Sequence, residues 1–253
     1  MQKIILFLII FTSFIYTAYA DSDDSIFIGK SNFEHLIFDG KWTFEKEWKP
    51  TTLHTIHYEN GTTIHFRIAH DTESIYAYFD VVNDVEPVRM ADRAVICIDS
   101  DNNQSQIPDS DDYCFVANLD SKNGSVHQGI STLPGKNYFK KIDLPENFIG
   151  IGNVSDENNR YSKIPHSSYE FKIPLELMTK NDVYGIYLQV YDYPEGNVYV
   201  WPQNPDTDIS KPNTWGLLIS PDKSIPEFGS ITILITVIAL GTMIFLTRMN
   251  FRF

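Results

Sequence analysis

The sequence has few cysteines and few basic residues. It contains two Cys, and its 20 Lys and Arg are outnumbered by 33 Asp and Glu, for a formal net charge of -13. A chain this acidic is not expected to bind nucleic acid, because affinity for phosphates comes from Lys and Arg. It has no C-x-x-C-H motif and no evident axial ligand beyond Met90 or a His, so haem is not expected either.

Long apolar runs are absent except at the two ends. At the N-terminus, Lys3 precedes an apolar run at residues 4–10, and Ala18-Tyr19-Ala20 precedes an acidic stretch. A basic start, a short apolar core and an A-x-A end are typical of a secretory signal peptide. We therefore predict a signal peptide at residues 1–20, with a retained N-terminal anchor as the alternative.

The second apolar run covers residues 231–246 and carries no charge. With the residues just before it, the run approaches the ~20 residues that cross a hydrocarbon core. Arg248 and Arg252 follow it, and basic ends stay in the cytoplasm. The pattern predicts a single-pass protein of the cell membrane whose main domain, residues 21–224, is extracellular. A buried core helix is the alternative.

A short motif, Pro226, Glu227, Phe228 and Gly229, stands directly before this run. The order of motif, apolar span and basic tail resembles archaeal PEFG C-terminal sorting signals, although only residues 225–253 carry the resemblance. It implies processing by an archaeosortase-like membrane enzyme. An ordinary single-pass tail is the alternative.

Residues 21–224 show short alternating runs split by Gly, Pro, Asn and Asp, which is the pattern of an all-β domain. The Asn60-Gly61 pair marks a tight hairpin, and one turn of helix is expected near residues 175–179 after Pro174. About ten strands favour a two-sheet antiparallel sandwich of jelly-roll type. The predicted strands lie at 53–59, 62–70, 74–83, 94–99, 113–119, 125–130, 169–173, 186–190, 198–201 and 215–219.

Several segments in this domain resemble carbohydrate-binding module family 9 and the wider group of DOMON-like sandwiches. The resemblance runs from about Phe38 to Ile219 and rests on the order and spacing of seven segments. These are FDGKW with EW at 38–48, FRIAHD at 66–71, IYAYFDVVND at 75–84, IDSDNN at 98–103, YEFKIPL at 169–175, VYD at 190–192 and WG at 215–216.

The resemblance implies a β-sandwich with bound calcium and a sugar held against aromatic rings. Some relatives of these sandwiches bind haem. Well-known sugar-binding members clamp the sugar between tryptophans, whereas the loop at residues 85–90 has no Trp. This sequence therefore departs from the family at the clamp.

An acidic loop lies between the predicted strands at 94–99 and 113–119. Its oxygen-bearing residues are Asp99, Asp101, Asn103, Asp109, Asp111 and Asp112. If the two strands pair, both ends of the loop meet at one sheet edge and can offer the six to eight oxygens that calcium prefers. The loop is not an EF-hand, because Ser110 occupies the twelfth position from Asp99. The alternative is a solvated turn without metal.

Aromatic and polar residues also occupy the side of several strands that faces away from the predicted core. If these strands are neighbours, the residues form one surface suited to the apolar faces and hydroxyl edges of a sugar. Core tyrosines under covering loops are the alternative. The candidate ligand-binding residues are Arg67, Tyr76, Tyr78, Tyr187, Gln189, Tyr191 and Trp201.

Cys97 and Cys114 lie in predicted strands that could pair, which would allow a disulfide in an exported protein. Two buried thiols are the alternative. Four N-x-S/T sequons offer glycosylation sites, which agrees with export. The acceptors are Asn60, Asn103, Asn123 and Asn153.

No catalytic arrangement is evident in the sequence. Exposed strand histidines explain His54, His57 and His65, with a zinc or copper site across the hairpin as the alternative. The sequence therefore predicts a non-catalytic, calcium-stabilised, carbohydrate-binding surface protein. The alternatives are a haem- or metal-binding redox accessory domain of the same fold and a structural cell-envelope protein.

Overall fold

The computed structural model describes residues 24–33, 35–131, 138–179, 181–193 and 195–221. The predicted signal peptide, the PEFG motif and the C-terminal apolar run lie outside these ranges. Within them, no helix has the length and apolar character needed to span a membrane.

Fourteen strands are present in this part of the chain, together with 3-10 turns at Leu175–Leu177 and Pro212–Thr214. The strands are β1 (Ser25–Phe27), β2 (Gly29–Lys30), β3 (Thr52–His57), β4 (Thr63–His70), β5 (Ser74–Val81), β6 (Arg93–Asp99), β7 (Asp112–Asn118), β8 (Ser125–Gly129), β9 (Phe139–Ile142), β10 (Ile149–Val154), β11 (Ser167–Pro174), β12 (Val183–Asp192), β13 (Asn197–Trp201) and β14 (Gly216–Ile219).

The strands form two sheets packed face to face. One sheet has the order β1-β14-β12-β6-β7-β8-β9, with β13 also paired to β12, and the other has the order β10-β11-β5-β4-β2, with β3 also paired to β4. The all-β sandwich predicted from the sequence is thus confirmed. Two details differ: β1 pairs β14 and β2 pairs β4 in parallel, and β6 to β9 run as a meander in one sheet, whereas a jelly roll alternates between sheets.

The core lies between the sheets and contains the apolar residues that the alternating pattern predicted to face inward. Phe66, Phe79 and Phe171 from one sheet and Ile96 and Ile186 from the other are fully buried in it. Side chains alternate across a strand, so the residues between these positions point to the outer faces. The predicted hairpin is also present, with β3 antiparallel to β4 and Gly61 at a φ of 87°.

Strand β10 was missed by the sequence prediction, because two of its six residues are glycines. Its packing explains one of them: a Cβ on Gly152 would lie 2.6 Å from Cδ1 of Tyr169, the residue opposite it on β11. Gly152 therefore leaves room for the buried Tyr169 ring. The predicted helical turn is the 3-10 turn at Leu175–Leu177.

Candidate functional site

The predicted single tyrosine surface is wrong. Tyr76 and Tyr78 lie on β5, whereas Tyr187, Gln189 and Tyr191 lie on β12, and the two strands belong to different sheets. The residues between them on both strands face the shared core. The two groups therefore occupy opposite outer faces of the sandwich.

The outer face of the six-stranded sheet is covered by residue 33 and residues 35–51. Tyr78 is fully buried there, with its ring stacked on Trp48 at a centroid distance of 5.3 Å and edge-on to Trp42 at 5.9 Å. Arg67 donates from Nε to the Tyr161 hydroxyl at 2.7 Å and from Nη1 to the Trp48 carbonyl at 3.1 Å. These side chains form a second core. Tyr76 lies at its margin and is 9% exposed.

Two buried carboxylates hold this covering segment in place. Glu170 on β11 accepts hydrogen bonds from the Asp39 and Gly40 amides and from Trp48 Nε1. Glu47 accepts from the amides of Ile37 and Thr43. Burial raises the pKa of Glu170 well above its usual range and also raises that of Glu47. Sequence reasoning missed both residues.

The outer face of the eight-stranded sheet carries the disulfide. Cys97 and Cys114 are paired residues of β6 and β7 and are joined by a disulfide, so the two-thiol alternative is wrong. Tyr187 packs beside them with Trp215 and donates to Gln189 Oε1. Tyr191 lies further along the strand, 4.5 Å from the Arg93 guanidinium.

Trp201 does not lie on an outer face. It is 8% exposed and belongs to the central core. A Cβ on Gly216 would lie 2.6 Å from the Trp201 ring. The ring therefore packs against the chain at the start of β14.

The acidic loop has the geometry that the sequence predicted, since β6 and β7 pair and Asp99 lies opposite Asp112. One carboxylate oxygen from each of Asp99, Asp111 and Asp112 lies within 4.8 Å of the others. Among the described residues, no other group of three or more such ligands is this close together. Asp99 and Asp112 are fully buried.

The remaining predicted ligands lie around these three carboxylates and are bound within the loop. The Asn103 side-chain amide donates to Asp109 Oδ2 at 3.2 Å and to Asp111 Oδ1 at 3.4 Å, and its backbone amide donates to Asp101 Oδ1 at 3.0 Å. The Gln104 amide donates to Asp99 Oδ2 at 3.0 Å.

Three buried oxygens in this loop have no hydrogen-bond partner: Asn102 Oδ1, Asp111 Oδ2 and Asp112 Oδ1. Burial raises the pKa of Asp112 to about 7, and burial together with the hydrogen bond to Asp109 raises the pKa of Asp111. Unpartnered buried acceptors beside crowded carboxylates fit a hard cation such as calcium. Asn102, with a φ of 55°, was not among the predicted ligands.

His54, His57 and His65, the alternative metal ligands of the hairpin, do not converge among the described residues. His65 is stacked on Tyr161 at 3.8 Å and lies opposite Thr55, whereas His54 lies opposite Phe66 and contacts the Phe27 carbonyl. Residues directly opposite on paired strands share a face, so His54 and His65 point to different faces of the sheet.

Three of the four predicted glycosylation sites, Asn60, Asn103 and Asn123, are exposed. Asn153 is half-buried and donates from Nδ2 to the Asp39 carbonyl at 2.8 Å. Asn103 also hydrogen-bonds Asp109 and Asp111. A glycan on Asn103 would therefore replace one of the amide hydrogens that donates within the acidic loop.

A polar groove of about 520 Å³ opens at one end of the sandwich, where three turns meet. They are the β3–β4 turn, the loop after β5 and the β12–β13 turn. No Lys or Arg is among the described residues that line it: Asn60, Gly61, Thr62, Asn83, Asp84, Val85, Glu86, Asp192, Glu195, Asn197 and Tyr199. We name this feature the end groove.

Tyr199 anchors one wall of the end groove. Its hydroxyl accepts hydrogen bonds from Asn60 Nδ2 at 3.1 Å and Thr62 Oγ1 at 3.0 Å, and its ring lies 5.0 Å from that of Tyr58. Tyr193, next to Asp192, is 46% exposed, and its amide donates to Asp92 Oδ1 at 2.8 Å. The loops on both sides of the groove are thereby joined.

Asp84 lies in the wall of the end groove and is 5% exposed. Its Oδ2 atom is fully buried, and the Ser167 side chain lies beside the carboxylate. Burial raises the Asp84 pKa to about 6, and the charges of Asp192 and Asp92 add to the increase. Sequence reasoning did not identify this groove, because its residues come from three distant parts of the chain.

No protein-family model and no curated protein matches this sequence. Two solved structures from Caldicellulosiruptor kristjanssonii are similar in fold, both of them family 9 carbohydrate-binding modules. The one in complex with cellotriose has a TM-score of 0.51 and 13% identity and covers 78% of this chain and 93% of its own. The one in complex with glucose has a TM-score of 0.53 and 14% identity and covers 78% and 95%. The domain thus has the fold of these modules.

Proposed function

We propose that this chain is a non-catalytic carbohydrate-binding protein and that the end groove holds the sugar. The observation that carries the proposal is a groove of ligand size, lined by amide and carboxylate side chains. The fold neighbours, which were solved with cellotriose and glucose, add support.

The groove residues match the chemistry of a sugar. Carboxylates accept hydrogen bonds from hydroxyl groups, and the Asn60, Asn83 and Asn197 amides both donate and accept. Tyr193 follows the lining residue Asp192 and is exposed, so its ring would offer a face to the apolar side of a sugar at the margin of the groove. This replaces Tyr76, Tyr78, Tyr187 and Trp201 as the proposed aromatic contacts, since all four are buried.

We further propose that the acidic loop holds calcium through Asp99, Asp111 and Asp112, with Asp101, Asn102, Asn103 and Asp109 nearby. When bound, the ion would supply positive charge that offsets the repulsion among these carboxylates. The residues themselves position the loop. Asp99 is the last residue of β6 and lies opposite Asp112, the first residue of β7. Asp112 Oδ2 accepts a hydrogen bond from the Asp109 amide at 2.7 Å. The role is structural.

Export and anchoring are proposed from the sequence. A signal peptide at residues 1–20 would direct export, and the apolar run at 231–246 would hold the domain outside the cell membrane. The motif at 226–229 would direct an archaeosortase-like enzyme to the C-terminus. Mass spectrometry of mature protein that finds residues 248–253 intact would instead favour an unprocessed tail.

A glycan array probed with the exported domain in calcium, and again in chelator, tests the function. Binding to a defined set of glycans is expected, with weaker binding in Asp192→Asn and loss of binding in Tyr193→Ala. Glu146→Gln removes an exposed acidic side chain outside the groove and serves as the control. A wild-type protein that binds no glycan in either buffer would favour a structural envelope role.

A further inference from the structure

The charge in the end groove has one sign. Its lining includes Asp84, Glu86, Asp192 and Glu195, and no basic side chain among the described residues lies there to balance them. Burial is the leading cause that raises the Asp192 pKa, followed by the Asp92 charge, with Glu195 and Glu86 adding to it. A neutral ligand would leave this repulsion unrelieved.

Two of the acids that line the groove, Glu86 and Glu195, are exposed. Asp84 is buried beside Ser167, whose side-chain hydrogen bond offsets part of the effect of burial on the Asp84 pKa. A charged N–H donor on a ligand satisfies exposed carboxylates of this kind best.

These carboxylates are too far apart to act as one metal site. The only group among the described residues whose ligand atoms converge within 4.8 Å is Asp99, Asp111 and Asp112 in the acidic loop. The groove acids instead surround about 520 Å³, which is a volume for a small organic ligand. The cation that fits this arrangement is therefore carried on a larger molecule.

We propose that the end groove prefers glycans bearing a protonated amine, such as polymers of glucosamine, and excludes glycans bearing carboxylates. The inference rests on the proposed carbohydrate-binding function and names its substrate class. The ammonium group would donate to the exposed acids Glu86 and Glu195, with Asp192 beside them, while the groove amides bind the hydroxyls.

The test is titration calorimetry at fixed ionic strength with four probes: hexamers of glucosamine, N-acetylglucosamine, glucose and galacturonate. We expect the glucosamine hexamer to bind about tenfold more tightly than the neutral hexamers, since a hydrogen bond to a charged group is worth more than a neutral one. The galacturonate hexamer should not bind.

The overall negative charge of the chain could attract any polycation, so variants localise the effect. Asp192→Asn with Glu195→Gln should reduce the ratio of glucosamine to glucose affinity about tenfold, because two charged partners are lost. Glu146→Gln, an exposed acid outside the groove, should leave the ratio unchanged. An unchanged ratio in the groove variant would assign the preference to general charge and overturn the proposal.

Three other outcomes also decide the matter. Equal affinity for glucosamine and glucose hexamers would overturn the amine preference and leave carbohydrate binding intact. If millimolar calcium displaces the glucosamine hexamer from the wild type but not from the groove variant, the groove binds metal ions and the proposal is overturned. Absence of binding by all four probes would contradict the proposed function itself.

Discussion

His166 Nε2 lies 2.6 Å from Asp80 Oδ1, and both side chains are fully buried. His166 Nδ1 lies 2.6 Å from the Ile164 carbonyl oxygen, which can only accept a hydrogen bond. A proton on Nδ1 satisfies the Ile164 carbonyl and a proton on Nε2 satisfies Asp80, so these surroundings favour the imidazolium form of His166. Asp80 Oδ2 also accepts from the Tyr78 hydroxyl at 2.8 Å, so the pair joins β5 to the covered aromatic face.

Removing one member of this pair should destabilise the domain strongly. Asp80→Asn or His166→Ala leaves a buried charge without its partner, and such changes cost about 3–5 kcal/mol. Urea denaturation monitored by tryptophan fluorescence measures the loss. A double variant that loses much less than the sum of the two would confirm the coupling, whereas simple additivity would show that the pair is not coupled.

The same pair predicts how stability depends on pH. Burial alone would lower the His166 pKa, but the hydrogen bond and charge of Asp80 outweigh it and raise the pKa, with Asp84 adding to the increase. The stabilisation is thus fully present below the unfolded His pKa of about 6.5 and is lost as pH rises through the folded value. His166→Gln should remove that part of the pH profile. His57→Gln, at an exposed position, is the matched control.

Alternation along each strand predicted which residues face the core, because that property is local. It did not predict long-range neighbours: the pairing of β5 with β11, and of β12 with β6, depends on contacts between distant segments. The acidic loop could be predicted because β6 and β7 are consecutive and its residues lie within the single loop that joins them. The end groove could not, since its walls come from turns about 20 and 110 residues apart.

Trp48 and Tyr78 should matter for stability and not for sugar binding. Both are fully buried and stacked, and a Trp or Phe to Ala change in a core costs about 3–5 kcal/mol. Trp48→Ala and Tyr78→Ala should therefore lower the melting temperature by many degrees. Calorimetry below the new transition should find glycan affinity close to wild type. Loss of glycan affinity with unchanged stability would show that these rings contact the sugar.

Reduction of the disulfide should also lower stability. Cys97 and Cys114 are separated by 17 residues, and closing a loop of about 15 residues constrains the unfolded chain by about 3 kcal/mol. Cys97→Ala with Cys114→Ala should show a loss of this order in denaturant, and reductant should have no further effect on that variant. Equal stability of wild type with and without reductant would contradict the expectation.

Calcium should stabilise the domain through the acidic loop. Ligand at one hundred times its dissociation constant adds about 2.7 kcal/mol, which raises the melting temperature of a domain this size by several degrees. The converging oxygens of Asp99, Asp111 and Asp112 account for this gain. Asp112 Oδ1 and Asp111 Oδ2 have no hydrogen-bond partner that the ion would have to displace. Magnesium should do less, because it retains its waters and requires a tighter octahedron.

Variants assign the effect to these residues. Asp111→Asn should abolish the calcium-dependent shift and raise stability in chelator, since it relieves repulsion with Asp109 and Asp101. Asp143→Asn removes an exposed carboxylate outside the loop and should keep the full shift. Scanning calorimetry in calcium, magnesium and chelator measures all three proteins. Identical wild-type melting curves in calcium and chelator would leave the loop as a hydrogen-bonded turn, held by Asn103 and Gln104 without an ion.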